Sequence, residues 1–228
     1  MDVETKWGFP VVNAENIFQY LESVNIKPWP QIEPTVSLDE YLKRDLTDDQ
    51  KGELRFAPKA EVMFLEQPNG QPYTAFRSTQ KPWATTFCLL PGDLIPIVAE
   101  WKHGAECISL APPSGSLGKA DNGSMKNCAK REFEEETGIE LSGIIPLSQA
   151  GIAVNCRSSG QRFFPHLGIA ATPISPGPTK LDQTENISLV LIPLKDWLML
   201  IEEGGVVENC SISTTLMALQ YLQRLELK

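Results

Sequence analysis

Arg131-Glu132-Phe133-Glu134-Glu135-Glu136-Thr137-Gly138-Ile139 concentrates groups able to do chemistry. On a helix, Glu132, Glu135 and Glu136 stand three and four residues apart, so their carboxylates share one face. Met125, Ala129 and Phe133 recur every fourth residue on another face, which the pattern predicts to pack inward. Gly138 stands where a helix C-cap belongs. Like charges at this spacing repel, and a cation relieves the repulsion. Hard divalent ions such as magnesium take oxygen ligands and bridge a few carboxylates to substrate phosphates. For the glutamates alone, a solvated acidic helix face is the favoured reading. Arg131, Phe133, Gly138 and Ile139 at fixed offsets shift it toward a site.

Those residues carry a resemblance. The stretch is similar to the second half of the Nudix hydrolase signature, G-x5-E-x7-R-E-U-x-E-E-x-G-U, where U is a bulky apolar residue. Arg131, Glu132, Phe133, Glu135, Glu136, Gly138 and Ile139 match every fixed position. The first half departs: Gly123 stands where the family has glutamate, and Leu117 where it has glycine. Pro113-Ser114-Gly115 resembles the family's Pro-Gly/Ala-Gly turn, with two extra residues before the helix. This alignment restores the glycine as Gly115 but not the glutamate. Asp121 is an alternative source of a carboxylate; within Asp121-Asn122-Gly123 it also reads as turn chemistry. The departure reads as remodelling of the loop, as among family members acting on ADP-sugars.

The resemblance implies a metal-assisted pyrophosphatase that cleaves a nucleoside diphosphate linked to another moiety. Carried onto this chain, it makes Glu132, Glu135 and Glu136 metal ligands, with the carbonyl of Ser114 a further ligand. Arg131 would orient Glu132 through a charge-assisted bond. The expected ion is Mg2+, with Mn2+ as the alternative. Residues 182–186, an acidic loop before a strand ending at Ile192-Pro193, resemble the tail of the ADP-ribose and ADP-sugar pyrophosphatases. There Glu185 would supply a catalytic carboxylate beside Glu135 and Arg131; a solvated loop acid is the equal alternative. Lys102, Arg162 and His166 are expected to reach phosphate or ribose, and Trp101, like Trp83, to stack on a base. Each also reads as an ordinary surface or core residue. The expected product pair from ADP-ribose or an ADP-sugar is AMP and a sugar phosphate. The competing reading is a catalytically impaired, Nudix-like nucleotide sensor.

The elements that must position these residues begin near residue 60. Residues 61–66 and 72–77 flank Pro68-Asn69-Gly70 and predict a hairpin. Residues 83–90 and 94–101 flank Pro91-Gly92-Asp93 and predict a second. A strand over 107–111 leads into the Pro113-Ser114-Gly115 turn and the acidic helix. Strands are expected at 144–154, 163–172 and 187–192, and a helix at 196–203. A last amphipathic helix at 211–227 carries Leu216, Leu219, Leu222 and Leu225 on one stripe. The fold class is α/β (α+β): a Nudix α/β/α sandwich with a mixed sheet and an N-terminal extension. Residues 1–58 form the extension and 59–228 the hydrolase domain. Within the extension, helices are expected at 14–24, with Asn13 as cap, and from the capping box Ser37-Leu38-Asp39-Glu40.

The chain has 228 residues, 42% hydrophobic and 21% charged, as for a globular protein. A net charge of −9 argues against nucleic acid as the main partner. No apolar run approaches membrane-spanning length, and no membrane partner is expected. The five cysteines form no CxxC pair and read as reduced thiols of a cytoplasmic protein. The 61–77 hairpin is marginal alone and needs a surface. With the resemblance, this predicts a homodimer.

Overall fold

A computed structural model of the chain describes residues 3–54, 57, 59–181 and 186–225. The chain opens with β1 (Thr5–Lys6), β2 (Phe9–Pro10), α1 (Ile17–Ser23), α2 (Leu38–Tyr41) and α3 (Asp48–Glu53). Strands β3 (Lys59–Glu66), β4 (Pro72–Thr79), β5 (Trp83–Cys88), β6 (Leu94–Lys102), β7 (Cys107–Ala111) and β8 (Ser114–Ser116) follow. Then come α4 (Met125–Thr137), β9 (Leu141–Pro146), β10 (Ile152–Ala153), β11 (Arg162–Ala170) and β12 (Ile187–Pro193). Helices α5 (Leu194–Glu202) and α6 (Asn209–Tyr221) end the described chain.

These elements form two compact units. The larger comprises residues 1–28, 81–154 and 162–228, and the smaller residues 29–80 and 155–161. The first 28 residues therefore belong with the residues around the acidic helix, and do not form one region with 29–58. Val12, Ile17, Leu21 and Ile26 lie in the main core. Val12 donates its backbone N–H to Leu191 at 2.9 Å. The sequence pattern marks a helix here, but only tertiary packing reveals that its apolar side joins the core.

The larger unit holds two sheets. One is mixed: β11 pairs parallel with β5 and antiparallel with β9 and β10, and β5 pairs antiparallel with β8. The other is antiparallel, in the order β12-β6-β7. β5 and β6 thus enter different sheets, and the hairpin expected around Pro91-Gly92-Asp93 reduces to one bridge between Leu90 and Leu94. The turn chemistry is real, since Gly92 and Asp93 both have positive φ. The strands diverge because each finds a longer partner, β6 in β12 and β5 in β11.

Side-chain alternation along β5 builds the layers. Ala84 and Cys88 pack with Cys128, Ala129 and Phe133 of α4. Phe87, of opposite parity, packs with Ala218 and Leu219 of α6. Helices therefore cover both faces, and the larger unit is an α/β/α sandwich with a mixed sheet. The stretch expected as one strand over 144–154 is two, β9 and β10. On α6 the buried residues are Ser211, Thr214, Thr215, Ala218 and Leu219. The expected leucine stripe at every third residue drifts off this face, leaving Leu216 and Leu225 exposed. No helix among the described residues is long and apolar enough to cross a membrane.

In the smaller unit, β3 and β4 pair over their full length, with Val62 opposite Phe76 and Leu65 opposite Tyr73. The expected capping box at Ser37 and Glu40 is formed, and Thr47 and Gln50 form a second that opens α3.

Candidate active site

The site is built where α4 crosses β8. Ser124 caps α4 by accepting the Asn127 N–H at 3.2 Å, and Gly138 ends it at φ +66°. Met125, Ala129 and Phe133 turn toward the core as the spacing predicts. The opposite side presents the carboxylates to β8, which hangs on β5 with Ala84 opposite Gly115. The Gly115 backbone lies against Glu132 so closely that a Cβ there would overlap the Glu132 carboxylate. Glycine is required at this position by contact rather than by its dihedral. Glu136, 8% exposed, accepts the Ser114 N–H at 3.0 Å.

Arg131 ties the cluster together. Its Nη1 lies 2.8 Å from Glu135 Oε2 and its Nη2 2.7 Å from Glu132 Oε1. Nη2 also donates to the Ser116 carbonyl at 3.2 Å. The remaining edge of the guanidinium grips Asp121, Nε to Oδ1 at 2.8 Å and Nη2 to Oδ2 at 2.9 Å. Asp121 is itself almost fully buried and accepts the Gly118 N–H at 2.7 Å. Arg131, foremost, holds the Asp121 carboxyl below its ordinary range. In turn Asp121, ahead of Glu132 and Glu135, pushes the guanidinium's own value up. Asp121 is thus more than a turn residue. Gly123 has φ +76°, and a Cβ there would meet open space.

One guanidinium shared by three carboxylates leaves local negative charge for a cation to answer. The donor set is all oxygen, which suits a hard divalent ion. Among the described residues, no three His, Cys, Asp or Glu side chains close around one point. An ion that keeps several waters and takes one or two carboxylates together with substrate oxygens needs no such cage. The residues present therefore fit it.

The other expected residues divide. Lys102 borders the same cleft as Ser114 and Glu136, with its ammonium 2.5 Å from Glu100 Oε2. Burial alone would lower its pKa; Glu100, Glu208 and Glu136 outweigh burial and raise it. Trp101 alternates with Lys102 on β6 and so points to the opposite face of that sheet, the face that carries Ile97 and Ala99 into the main core. Trp83 stacks obliquely on Phe163, centroids 5.9 Å apart. Arg162 donates to the carbonyls of Ala150 and Gly151 and braces that turn. His166 is buried within β11, its Nδ1 2.8 Å from the Phe164 carbonyl, and burial foremost lowers its pKa. Among the described residues, neither Arg162 nor His166 pairs with the box carboxylates. Glu185 lies outside the described residues. Lys180 donates its N–H to the Glu135 carbonyl at 2.8 Å.

Two participants escaped the sequence reading. Glu134 belongs to the acidic run but works structurally, accepting the Leu141 N–H at 2.8 Å and so tying α4 to β9. Glu208 enters the cleft beside Lys102; nothing in Val207-Glu208-Asn209 signals this locally. Cys128 donates to the Gly115 carbonyl, and burial foremost pushes its thiol up to about 12, as expected of a core cysteine.

No family model and no curated protein matches the sequence. Among solved structures, the chain is similar to the crystal structure of an ADP compounds hydrolase. The TM-score is 0.63 at 19% identity, covering 74% of this chain and 90% of that one. The likeness establishes a shared fold, the α/β/α sandwich that the resemblance to Nudix hydrolases implies.

Proposed function

We propose that this chain is a magnesium-dependent Nudix-type pyrophosphatase that hydrolyses the diphosphate bond of ADP-ribose or an ADP-sugar, giving AMP and a sugar phosphate. The observation that carries the reading is the Arg131 cluster. A single guanidinium fixes Glu132 and Glu135 beside Glu136 and the Ser114–Ser116 strand. The fold shared with a hydrolase of ADP compounds supports the substrate class.

In the reaction, water adds to one phosphorus, the bridging P–O bond breaks, and the water's proton passes to a carboxylate. A divalent ion held by Glu132, Glu136 and the Ser114 carbonyl would neutralise phosphate charge and favour hydroxide. Arg131 orients Glu132 and Glu135 through charge-assisted bonds. Glu135, or Glu185 by resemblance, takes the proton. Lys102 supplies a positive charge for a phosphate oxygen. The same reading takes the β3–β4 hairpin as the contact of a homodimer.

The sensor alternative rests on the missing glutamate at Gly123. Asp121 weakens it, because a carboxylate still meets Arg131. A magnesium-dependent hydrolysis panel of ADP-ribose, ADP-glucose, NADH, diadenosine polyphosphates and GDP-mannose tests the proposal. Turnover of the ADP compounds with release of AMP is expected. Binding of ADP-ribose without turnover would establish the sensor instead.

A further inference from the structure

A second group of charges borders a cleft that Glu136 lines and Arg131 does not. β6 and β7 run antiparallel with Glu100 opposite Ser109, and alternation puts Glu100 and Lys102 on the face that Ser109 shares. Glu208, just before α6, borders the same small cavity, together with Ser114 and Glu136. The space open to water centres there is about 30 Å³, room for one or two waters. Ser109 is 2% exposed, and its Oγ has no hydrogen-bond partner among the described residues. A buried hydroxyl without a partner is costly, and a water or phosphate oxygen in this cavity would satisfy it.

The position of Glu208 is informative. It occupies the N-cap of α6, where Ser, Thr, Asp and Asn are preferred. Its side chain makes no cap bond. Instead Oε2 accepts from Ser211 Oγ at 3.3 Å and Cys210 Sγ at 3.4 Å. Burial, then the Glu208 charge, pushes the Cys210 thiol up to about 12, so it remains an S–H donor. A residue that forgoes its local helix role and is braced by two neighbours departs from the best local choice, as residues at functional sites do.

We propose that Glu208 is a positioning residue of the cleft: with Glu100 it holds the Lys102 ammonium beside Glu136, at the water-sized cavity lined by Ser109, where a phosphate oxygen of the substrate meets it. The role in substrate binding rests on the proposed diphosphate substrate; the hold on Lys102 does not. Without Glu208, the acids left beside Lys102 among the described residues are Glu100 and Glu136. Closer pairing with Glu136 then competes with a divalent ion for that carboxylate. Glu208 therefore acts through Lys102 and touches no reacting atom.

The test uses Glu208→Asn, because asparagine caps helices well and removes only the charge. Acylation of Lys102 by an activated acetate ester, read by peptide mass spectrometry on the full chain without ligand, should run several-fold faster in this variant. Glu208→Asp should restore most of the shielding. The melting temperature should be unchanged or higher. An unchanged labelling rate overturns the proposal. Binding of a non-hydrolysable methylene analogue of ADP-ribose should weaken about tenfold in Glu208→Asn. The Lys102→Met/Glu208→Asn pair should bind no more weakly than Lys102→Met alone. Additive losses overturn the route through Lys102. If the wild-type chain binds no such analogue, the substrate reading fails, and the labelling still decides whether Glu208 positions Lys102.

Discussion

Arg131 and Asp121 meet side-on, Nε 2.8 Å from Oδ1 and Nη2 2.9 Å from Oδ2, across a turn that carries Gly123. The pairing fixes Arg131 from a position two residues before Gly123. The 3-10 turn Lys119–Asp121 and the left-handed Asn122 and Gly123 bring Asp121 back under α4.

Asp121→Asn should therefore behave as a site mutation. An amide would face the guanidinium with a donor in place of one acceptor, at a cost on the order of 3 kcal/mol for a largely buried pair. Arg131 would loosen, and turnover should fall by about 10²-fold, the penalty of a small misplacement. The Asp121 pKa is lowered in the fold, so its contribution is full above the unfolded value near 4 and lost as pH falls through the folded value. Urea unfolding at pH 7 and pH 3 should show that the variant loses less stability on acidification than the wild type. Equal acid sensitivity would remove Asp121 from the argument.

Gly123→Glu, which restores the letter of the signature, should not restore anything. The position has φ +76°, so a side chain costs about 1–2 kcal/mol of backbone strain, and the new Cβ points into open space. Lower stability and unchanged or reduced turnover are expected. A large gain in turnover would mean that Asp121 does not substitute for the missing glutamate.

Local relationships were legible in the sequence. The box helix, its Gly138 cap and the Ser37 capping box depend on residues three to eight apart, and each forms. Thr47-Asp48-Asp49-Gln50 carries the same capping pattern and was equally readable. Relationships across the fold were not. Pro91-Gly92-Asp93 signals a turn but does not say that β5 and β6 part into different sheets. Helical spacing marks α1 but does not reveal that Ile17 and Leu21 pack with Trp197. Glu208 is invisible as a site residue because Lys102, with which it lines one cleft, is over a hundred residues away.

Gly115→Ala separates the geometry of the cluster from its charge. No carboxylate is removed, but the new methyl occupies the space of the Glu132 carboxylate. Manganese affinity, followed by its paramagnetic signal, should fall as far as in Glu136→Gln, which deletes a ligand charge. Binding at wild-type affinity in both variants would remove Glu132 and Glu136 from the metal assignment.

His166 predicts a pH effect on folding rather than on catalysis. Burial lowers its pKa, so the ring is neutral in the native state and protonates more readily when unfolded. Stability is then full above the unfolded value near 6.5 and declines as pH falls below it toward the folded value. His166→Gln should flatten that decline and leave substrate KM unchanged, both measurable between pH 5 and 8. A raised KM would instead make His166 the substrate ligand that the resemblance implied.

The hairpin of the smaller unit carries the prediction about assembly. Phe64 is 83% and Phe76 68% exposed, with Val62 beside them on one face of a two-stranded ribbon. Such a ribbon is marginal in water, and clustered exposed apolar side chains mark contact surfaces. A second copy of the chain is the commonest partner in closed assemblies. Deleting the N-terminal residues through 78 would not test this cleanly, because Val12, Ile17 and Leu21 would leave the core with them. Phe64→Glu combined with Phe76→Glu changes exposed residues only. Light scattering should report a dimer for the wild type and a monomer for the double variant, with the melting transition of the larger unit retained. Identical masses for the two proteins would exclude the hairpin as the contact.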